Sequence, residues 1–294
     1  MSCTELITSE FPDFKEAPTI NALLITGKII KVHVSLAEKN DTTFISLIDD
    51  ARVIIKSDIG ETDTLSLVSH GLYTSDLVAQ AGVNYSIVVS IEGFEKISSS
   101  TKVLPPVHAK IVYHSNQYSY NEEGSYMEGL GIEFYDNPNS TDFYEIALIK
   151  RRNSSLNYVS AYNRNSVILL SEGFEPYSTS TLLLSDKLMK DSIINLILDY
   201  STDGYGMRCY SNDSCVNHFD EHIMILELRH ISESYYKYKK SFYMYEKERY
   251  PSFVEGTAST YPLFTNVDNG YGIFGSYSLT IDSLYIPQEF VPVK

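Results

Sequence analysis

The sequence predicts an all-β fold, mainly antiparallel, and three observations carry that prediction. Apolar and polar residues alternate through many short runs, as they do where one face of a strand lies in a core and the other meets water. Clusters of Gly, Asp, Asn and Ser separate the runs as turns. Tyr occurs 24 times and Trp not at all, an aromatic balance suited to strands and half-wetted surfaces.

In the first third, Ile30, Val32, Val34 and Leu36 share one face, with Lys31, His33 and Ser35 on the other. Ala51, Val53 and Ile55 follow, then Tyr85, Ile87, Val89 and Ile91, and these runs predict a small β-sandwich over residues 20–106. Pro105-Pro106 cannot sit inside a central strand, so it marks the expected boundary with a larger antiparallel β-domain over 107–294. There, Leu130, Ile132 and Phe134 precede the turn Asp136-Asn-Pro-Asn-Ser140, and Tyr144, Ile146 and Leu148 return from it. Further strands are expected at Val167 to Leu170, at Ile194, Leu196, Leu198 and Tyr200, and at Met224, Leu226 and Leu228, with a last one carrying Ile273, Tyr277, Leu279 and Ile281.

One stretch breaks the period of two. Ser232 to Arg249 has no Gly or Pro and places Tyr235, Tyr238, Phe242 and Tyr245 at helical spacing. Ser232 suits the N-cap, Glu233 the positive end of the helix dipole, and Lys247 and Arg249 the negative end before Pro251. An amphipathic helix laid on a sheet needs such an aromatic stripe for packing.

Composition excludes some functions. A net charge of −15 repels phosphate backbones, so nucleic acid is not an expected partner. No run approaches the roughly 20 apolar residues of a membrane-spanning helix. There is no Gly-x-Ser-x-Gly elbow, His-Glu-x-x-His helix or phosphate loop; His70-Gly71 has no such context, and Glu122-Glu123 read as solvated neighbours. No catalytic residue and no cofactor is expected.

The N-terminus reads as a tether over 1–19. Ser2-Cys3 resembles the end of a bacterial lipoprotein signal whose apolar part is missing, so Met1 reads as a start misplaced within it and Cys3 as the lipidated residue. The plainer alternative is an exposed thiol on a frayed terminus.

Several motifs, taken in order, resemble one family. Leu226-Glu-Leu-Arg-His-Ile-Ser-Glu-Ser-Tyr-Tyr236 is followed by Phe253-Val-Glu255, Thr265-Asn266-Val267, Asn269-Gly270 and Gly272-Ile-Phe-Gly275. Glu5-Leu-Ile7, Leu24 to Gly27, Asp50-Ala-Arg-Val53, and Asp136-Asn-Pro138 with Phe143-Tyr144 agree with the rest of the pattern, with Val267 where Ile is usual. The chain thus resembles the Bacteroidota lipoprotein family known as domain of unknown function 4249. That resemblance implies an immunoglobulin-like first sandwich and a lipid-anchored, surface-exposed outer-membrane protein. It further implies membrane contact through the anchor alone, and a TonB-dependent receptor or another outer-membrane protein as partner. The alternative is a structural or adhesive surface module; a hydrolase is the remoter reading.

Candidate sites follow. Cys209 and Cys215 flank a polar five-residue loop, and an extracytoplasmic address favours a disulfide between them. The spacing Cys209, Cys215, His218, His222 leaves zinc open, as it does two free thiols. Asp136, Asn137, Asn139 and Asp142, or Asp199 with Asp203, offer oxygens to calcium, although turns favour the same residues. Tyr113, Tyr118, Tyr120 and Tyr126 are the best candidates for a recognition loop, and covering the seam between domains is their plainer role.

Overall fold

The structure, a computed structural model, describes residues 16–37, 45–121, 123–159, 161–162, 181–189, 192–201, 205–210, 215–249 and 261–292. The first third supplies β1 (Ala17–Ile25), β2 (Ile29–Ala37), β3 (Arg52–Ser57), β4 (Thr62–Thr64), β5 (Ser66–Ser69), β6 (Leu72–Val78), β7 (Asn84–Ser90) and β8 (Ile97–Lys102). Next come β9 (Ala109–Tyr120), β10 (Tyr126–Tyr135), β11 (Phe143–Arg152), β12 (Ser155–Val159), β13 (Ala161–Tyr162), β14 (Thr181–Ser185) and β15 (Ile193–Ser201). The chain closes with β16 (Tyr205–Cys209), β17 (Cys215–Phe219), β18 (His222–Ile231), the helix α1 (Glu233–Arg249), β19 (Tyr271–Ile286) and β20 (Glu289–Pro292). The fold is all-β; the strand expected at 167–170 lies outside the described residues.

Period-two patterning becomes burial. Ile30, Val32 and Val34 of β2 face Val53 and Ile55 of β3 and Tyr85, Ile87 and Val89 of β7 in one core, enclosed between the larger sheet and the four-stranded sheet β4-β3-β7-β8. A second core joins Leu130, Ile132 and Phe134 of β10 and Ile194, Leu196 and Leu198 of β15 to Ile146 and Leu148 of β11 and Met224, Leu226 and Leu228 of β18. Here the four-stranded sheet β13-β15-β10-β9 covers the other half of the large sheet.

β19 binds the two halves together. Tyr271 to Tyr277 pair in parallel with Thr19 to Ile25 of β1, whereas Tyr277 to Ile286 pair antiparallel with β18. This 16-residue strand is therefore common to both sandwiches, within a nine-stranded sheet ordered β12-β11-β18-β19-β1-β2-β6-β5, with β14 also on β11. Val267 and Phe274 enter the first core from the far end of the chain, so the segment 20–106 shares both sheet and core with residues 267–277.

Alternate residues of β19 also fasten the connection that carries Pro105-Pro106. Ser276 Oγ donates to Lys102 O at 2.6 Å, Ser278 Oγ to Leu104 O, and Thr280 Oγ1 to Val107 O at 2.6 Å, while Asp282 Oδ2 accepts Ile111 N–H at 2.7 Å. Ser276 and Ser278 are consequently buried, although the apolar alternation Tyr277, Leu279, Ile281 points to the opposite face. Ile281 on that face is exposed. Here the inward face of the strand serves hydrogen bonding to a proline-bearing linker whose carbonyls have no sheet partner, so hydropathy alone misassigns it.

At its start, α1 is capped as predicted. Ser232 Oγ accepts Tyr235 N–H at 3.4 Å and Ser276 N–H at 3.0 Å. Tyr235 and Tyr236 pack with Phe143, Leu183 and Ile231 on the far side of the large sheet, away from the second core. Gly275 permits this approach, because a Cβ there would stand 3.0 Å from Tyr235 Cβ.

Candidate functional site

Tyr113, Tyr118 and Tyr120 stand on β9 and Tyr126 on β10, so the expected recognition loop is instead a β-hairpin. Tyr113 lies over Gly131 and Tyr118 over Gly129, where any Cβ would meet their side chains. Both glycines alternate with the core-facing Leu130 and Ile132, which places the two rings on the outer face of the four-stranded sheet. They are 45% and 39% exposed, and Tyr135, Ile193 and Ile197 extend the same face, through the pairs Tyr135↔Ile193 and Gly131↔Ile197. Tyr120 stacks obliquely on Tyr126 at 4.7 Å between ring centroids, but Tyr126 has the parity of Glu128 and its ring lies 6.4 Å from the buried Phe219, so this pair belongs to the other face of the hairpin. Tyr113, Tyr118 and Tyr135 form an aromatic platform on the outer face.

Beneath this platform, on the inner face, is a polar cluster at one end of the second core. Glu128 has the parity of Leu130, Ile132 and Phe134, so its carboxylate points inward and is fully buried. Tyr200 of β15, its cross-strand partner, donates its hydroxyl to Glu128 Oε2 at 2.7 Å. Burial, with the carboxylate alongside, holds that phenol well above its ordinary pKa. His114 Nε2 of β9 lies 2.9 Å from the same oxygen, and His222 Nε2 of β18 approaches it to 3.4 Å from the opposing sheet. His114, Glu128 and His222 each bring a ligand-type atom within 4.8 Å of the others.

The sequence-predicted zinc set is not assembled. Cys209 and Cys215 pair across β16 and β17 and are joined as a disulfide, which leaves no thiolate to bind metal. His218 Nε2 contacts Gln288 at 2.7 Å and Asp220 at 3.3 Å, and His222 joins His114 and Glu128. Neither His114 nor Glu128 was singled out by spacing, since the partners lie on separate strands; the detectable signal was an acidic residue on the predicted core face of β10.

A second cluster brings Asp136 and Asp142 together with Asp186. Several of their oxygens serve local structure. Tyr144 donates to Asp136, Ser140 Oγ to Asp142 Oδ2 at 2.6 Å, and Asp142 N–H to Asp186 Oδ1 at 2.8 Å. His230 Nε2 stands 3.2 Å from Asp142 Oδ1, and this contact holds the Asp142 carboxyl below its ordinary range against the opposing effect of burial. Asn137 and Asn139 are spent on the turn itself, Asn139 N–H donating to Asn137 Oδ1. Asp199 is buried and accepts Ser119 Oγ–H at 2.8 Å; Asp203 and Glu122 lie outside the described residues, and Glu123 is exposed.

Under α1, the buried Glu145 of β11 receives Arg229 Nη1 at 2.8 Å and Lys239 Nζ at 3.0 Å, and Arg229 Nη2 reaches Glu227 at 2.7 Å. This network pins the helix to the sheet. Thr181 Oγ1 also donates to Glu145 and bonds Tyr243.

A family model described as "Domain of unknown function (DUF4249)" matches residues 4–281. The chain belongs to the DUF4249 family. No curated protein matches it. Two of the motifs by which this DUF4249 protein resembles its family, Leu226 to Tyr236 and Gly272 to Gly275, meet at the junction of β18, α1 and β19: Ser232 caps the helix, Tyr235 and Tyr236 seat it, and Gly275 lets Tyr235 approach the sheet, while Phe253 to Glu255 lie outside the described residues. Cys3, the expected lipidation site, lies outside the described residues.

Proposed function

We propose that this protein is a Bacteroidota outer-membrane lipoprotein, anchored through Cys3, that binds rather than catalyses and assists a TonB-dependent transporter in nutrient uptake at the cell surface. The observation that carries the binding role is the pair Tyr113 and Tyr118, exposed over Gly131 and Gly129 on a sheet whose other face is core. Tyrosines fixed flat on strands offer large contact area at little entropic cost, and their hydroxyls remain free to hydrogen-bond a partner. The Cys209–Cys215 disulfide supports an oxidising, extracytoplasmic address. No helix among the described residues is long and apolar enough to cross a membrane, and an acyl anchor supplies membrane attachment without one. Confinement to the membrane raises the effective concentration at an integral partner.

The alternative, a structural or adhesive module, draws support from β19, which fuses two sandwiches into one continuous sheet as a spacer would require. Mass analysis of the mature N-terminus tests the anchor: a diacylated or triacylated Cys3 is expected, with Cys3→Ala released from membranes. An unmodified Cys3 thiol on membrane-derived protein would remove the anchor and with it the proposed address.

A further inference from the structure

We propose that His114, Glu128 and His222 form a binding site for one divalent transition-metal ion of the zinc type, set between the two sheets of the second sandwich. His222 supplies the deciding geometry. Its Nδ1 lies 2.9 Å from the carbonyl oxygen of Asp220, an acceptor with no proton to give, so Nδ1 carries the hydrogen. In the neutral ring Nε2 then presents its lone pair toward the cluster. A protonated ring would aim a second N–H at Glu128, yet Nε2 makes no hydrogen bond, although it is buried and only 3.4 Å from Glu128 Oε2. A lone pair facing a buried carboxylate is repulsive unless a cation lies between them. Metal-bound imidazoles have this arrangement: one nitrogen held by a carbonyl, the other free to coordinate.

The remaining donors fit. Two imidazoles and one carboxylate suit zinc and its neighbours, whereas calcium and magnesium take oxygen-rich shells. Ligands each about 2.1 Å from one ion stand roughly 3–4 Å apart, and the three side chains already approach this spacing. Tyr200 fixes the orientation of Glu128 from behind as a positioning residue. The side chains of Glu128 and His222 are 1% exposed and that of His114 12%, so ion access is from the β9 side, and three protein ligands leave a coordination position there for water or a small ligand. An ion here would join β9 and β10 to β18. This inference is independent of the tyrosine platform and of the lipid anchor.

The test uses the full chain with its disulfide intact, stripped with chelator and titrated with Zn²⁺ by calorimetry and with Co²⁺ by visible absorption. One ion per chain is expected, with the d–d bands of nitrogen–oxygen coordination and no comparable heat from Ca²⁺ or Mg²⁺. Glu128→Gln and His114→Gln should each weaken binding by more than about a hundredfold, and Tyr200→Phe by about 10- to 100-fold. His218→Gln, beside the disulfide hairpin, should bind as the parent does. The inference is overturned if the parent chain shows no saturable Zn²⁺ binding, or if His114→Gln binds unchanged, or if His218→Gln loses binding equally. Should Glu128→Gln not fold, the parent titration and His114→Gln decide the matter.

Discussion

The side-chain amide of Asn266 bonds the backbone of Phe274 in both directions, Nδ2 donating to the Phe274 carbonyl at 2.9 Å and Oδ1 accepting the Phe274 N–H at 3.0 Å. The amide thus stands in for a neighbouring strand where β19 begins. Asn266 also holds its own segment to β8, because Ser99 Oγ donates to the Asn266 carbonyl at 2.7 Å and Asp268 pairs with Ser98. A family motif is here explained by backbone satisfaction rather than by chemistry on a ligand.

Asn266→Ala should therefore destabilise the fold by about 2 kcal/mol or more, since two backbone groups lose partners where β19 meets the first core. Asn266→Asp should fall between, accepting from the N–H but unable to donate to the carbonyl. Urea unfolding measures both; an alanine variant as stable as the parent would contradict this reading.

The hydroxyl ladder of β19 should govern how firmly the linker is held. Replacing Ser276 and Thr280 by Ala removes two bonds to the carbonyls of Lys102 and Val107, at a cost of about 1 kcal/mol each. Limited proteolysis between residues 102 and 111 should accelerate in the double variant, with other cleavage sites unaffected.

Acid should loosen α1 before it dissolves the sheets. Burial pushes the Glu145 carboxyl upward, but Lys239 and Arg229 together outweigh it and hold the group below its ordinary value of 4.5. A depressed folded-state pKa gives stability that is complete above 4.5 and is lost as pH falls through the lower folded value. Circular dichroism should show helix signal declining in that acidic window. Glu145→Gln, which leaves two buried cations short of their partner, should lose about 3–5 kcal/mol at neutral pH and show less acid dependence.

Most of the architecture was legible because period-two alternation reports burial on one face, as in β2, β7 and the first half of β15. The helix was legible from Ser232 and the absence of breakers. Other features were hidden for physical reasons. Parallel pairing of β1 with β19 joins residues some 250 apart and leaves no local trace. The inward serines of β19 mimic a solvent face, since their partners are linker carbonyls. Both faces of β11 are covered, so Glu145 reads as surface although it lies under a helix. The histidine and glutamate cluster was half visible: the parity of Glu128 points it inward, but His114 and His222 reach it from strands whose proximity only the fold creates. Of the four tyrosines read as a recognition loop, Tyr113, Tyr118 and Tyr120 are exposed, and the bulged register of β9 disguised strand as loop.

Binding through the aromatic platform is the claim on which the functional account rests, and crosslinking in native membranes measures it most directly. The parent chain should recover a TonB-dependent receptor, identified by mass spectrometry, while Tyr113→Ser/Tyr118→Ser, with Cys3 intact and an unchanged melting temperature, should lose about tenfold or more of it. Recovery of the parent chain alone, or equal recovery of the receptor by the double variant, would contradict the account.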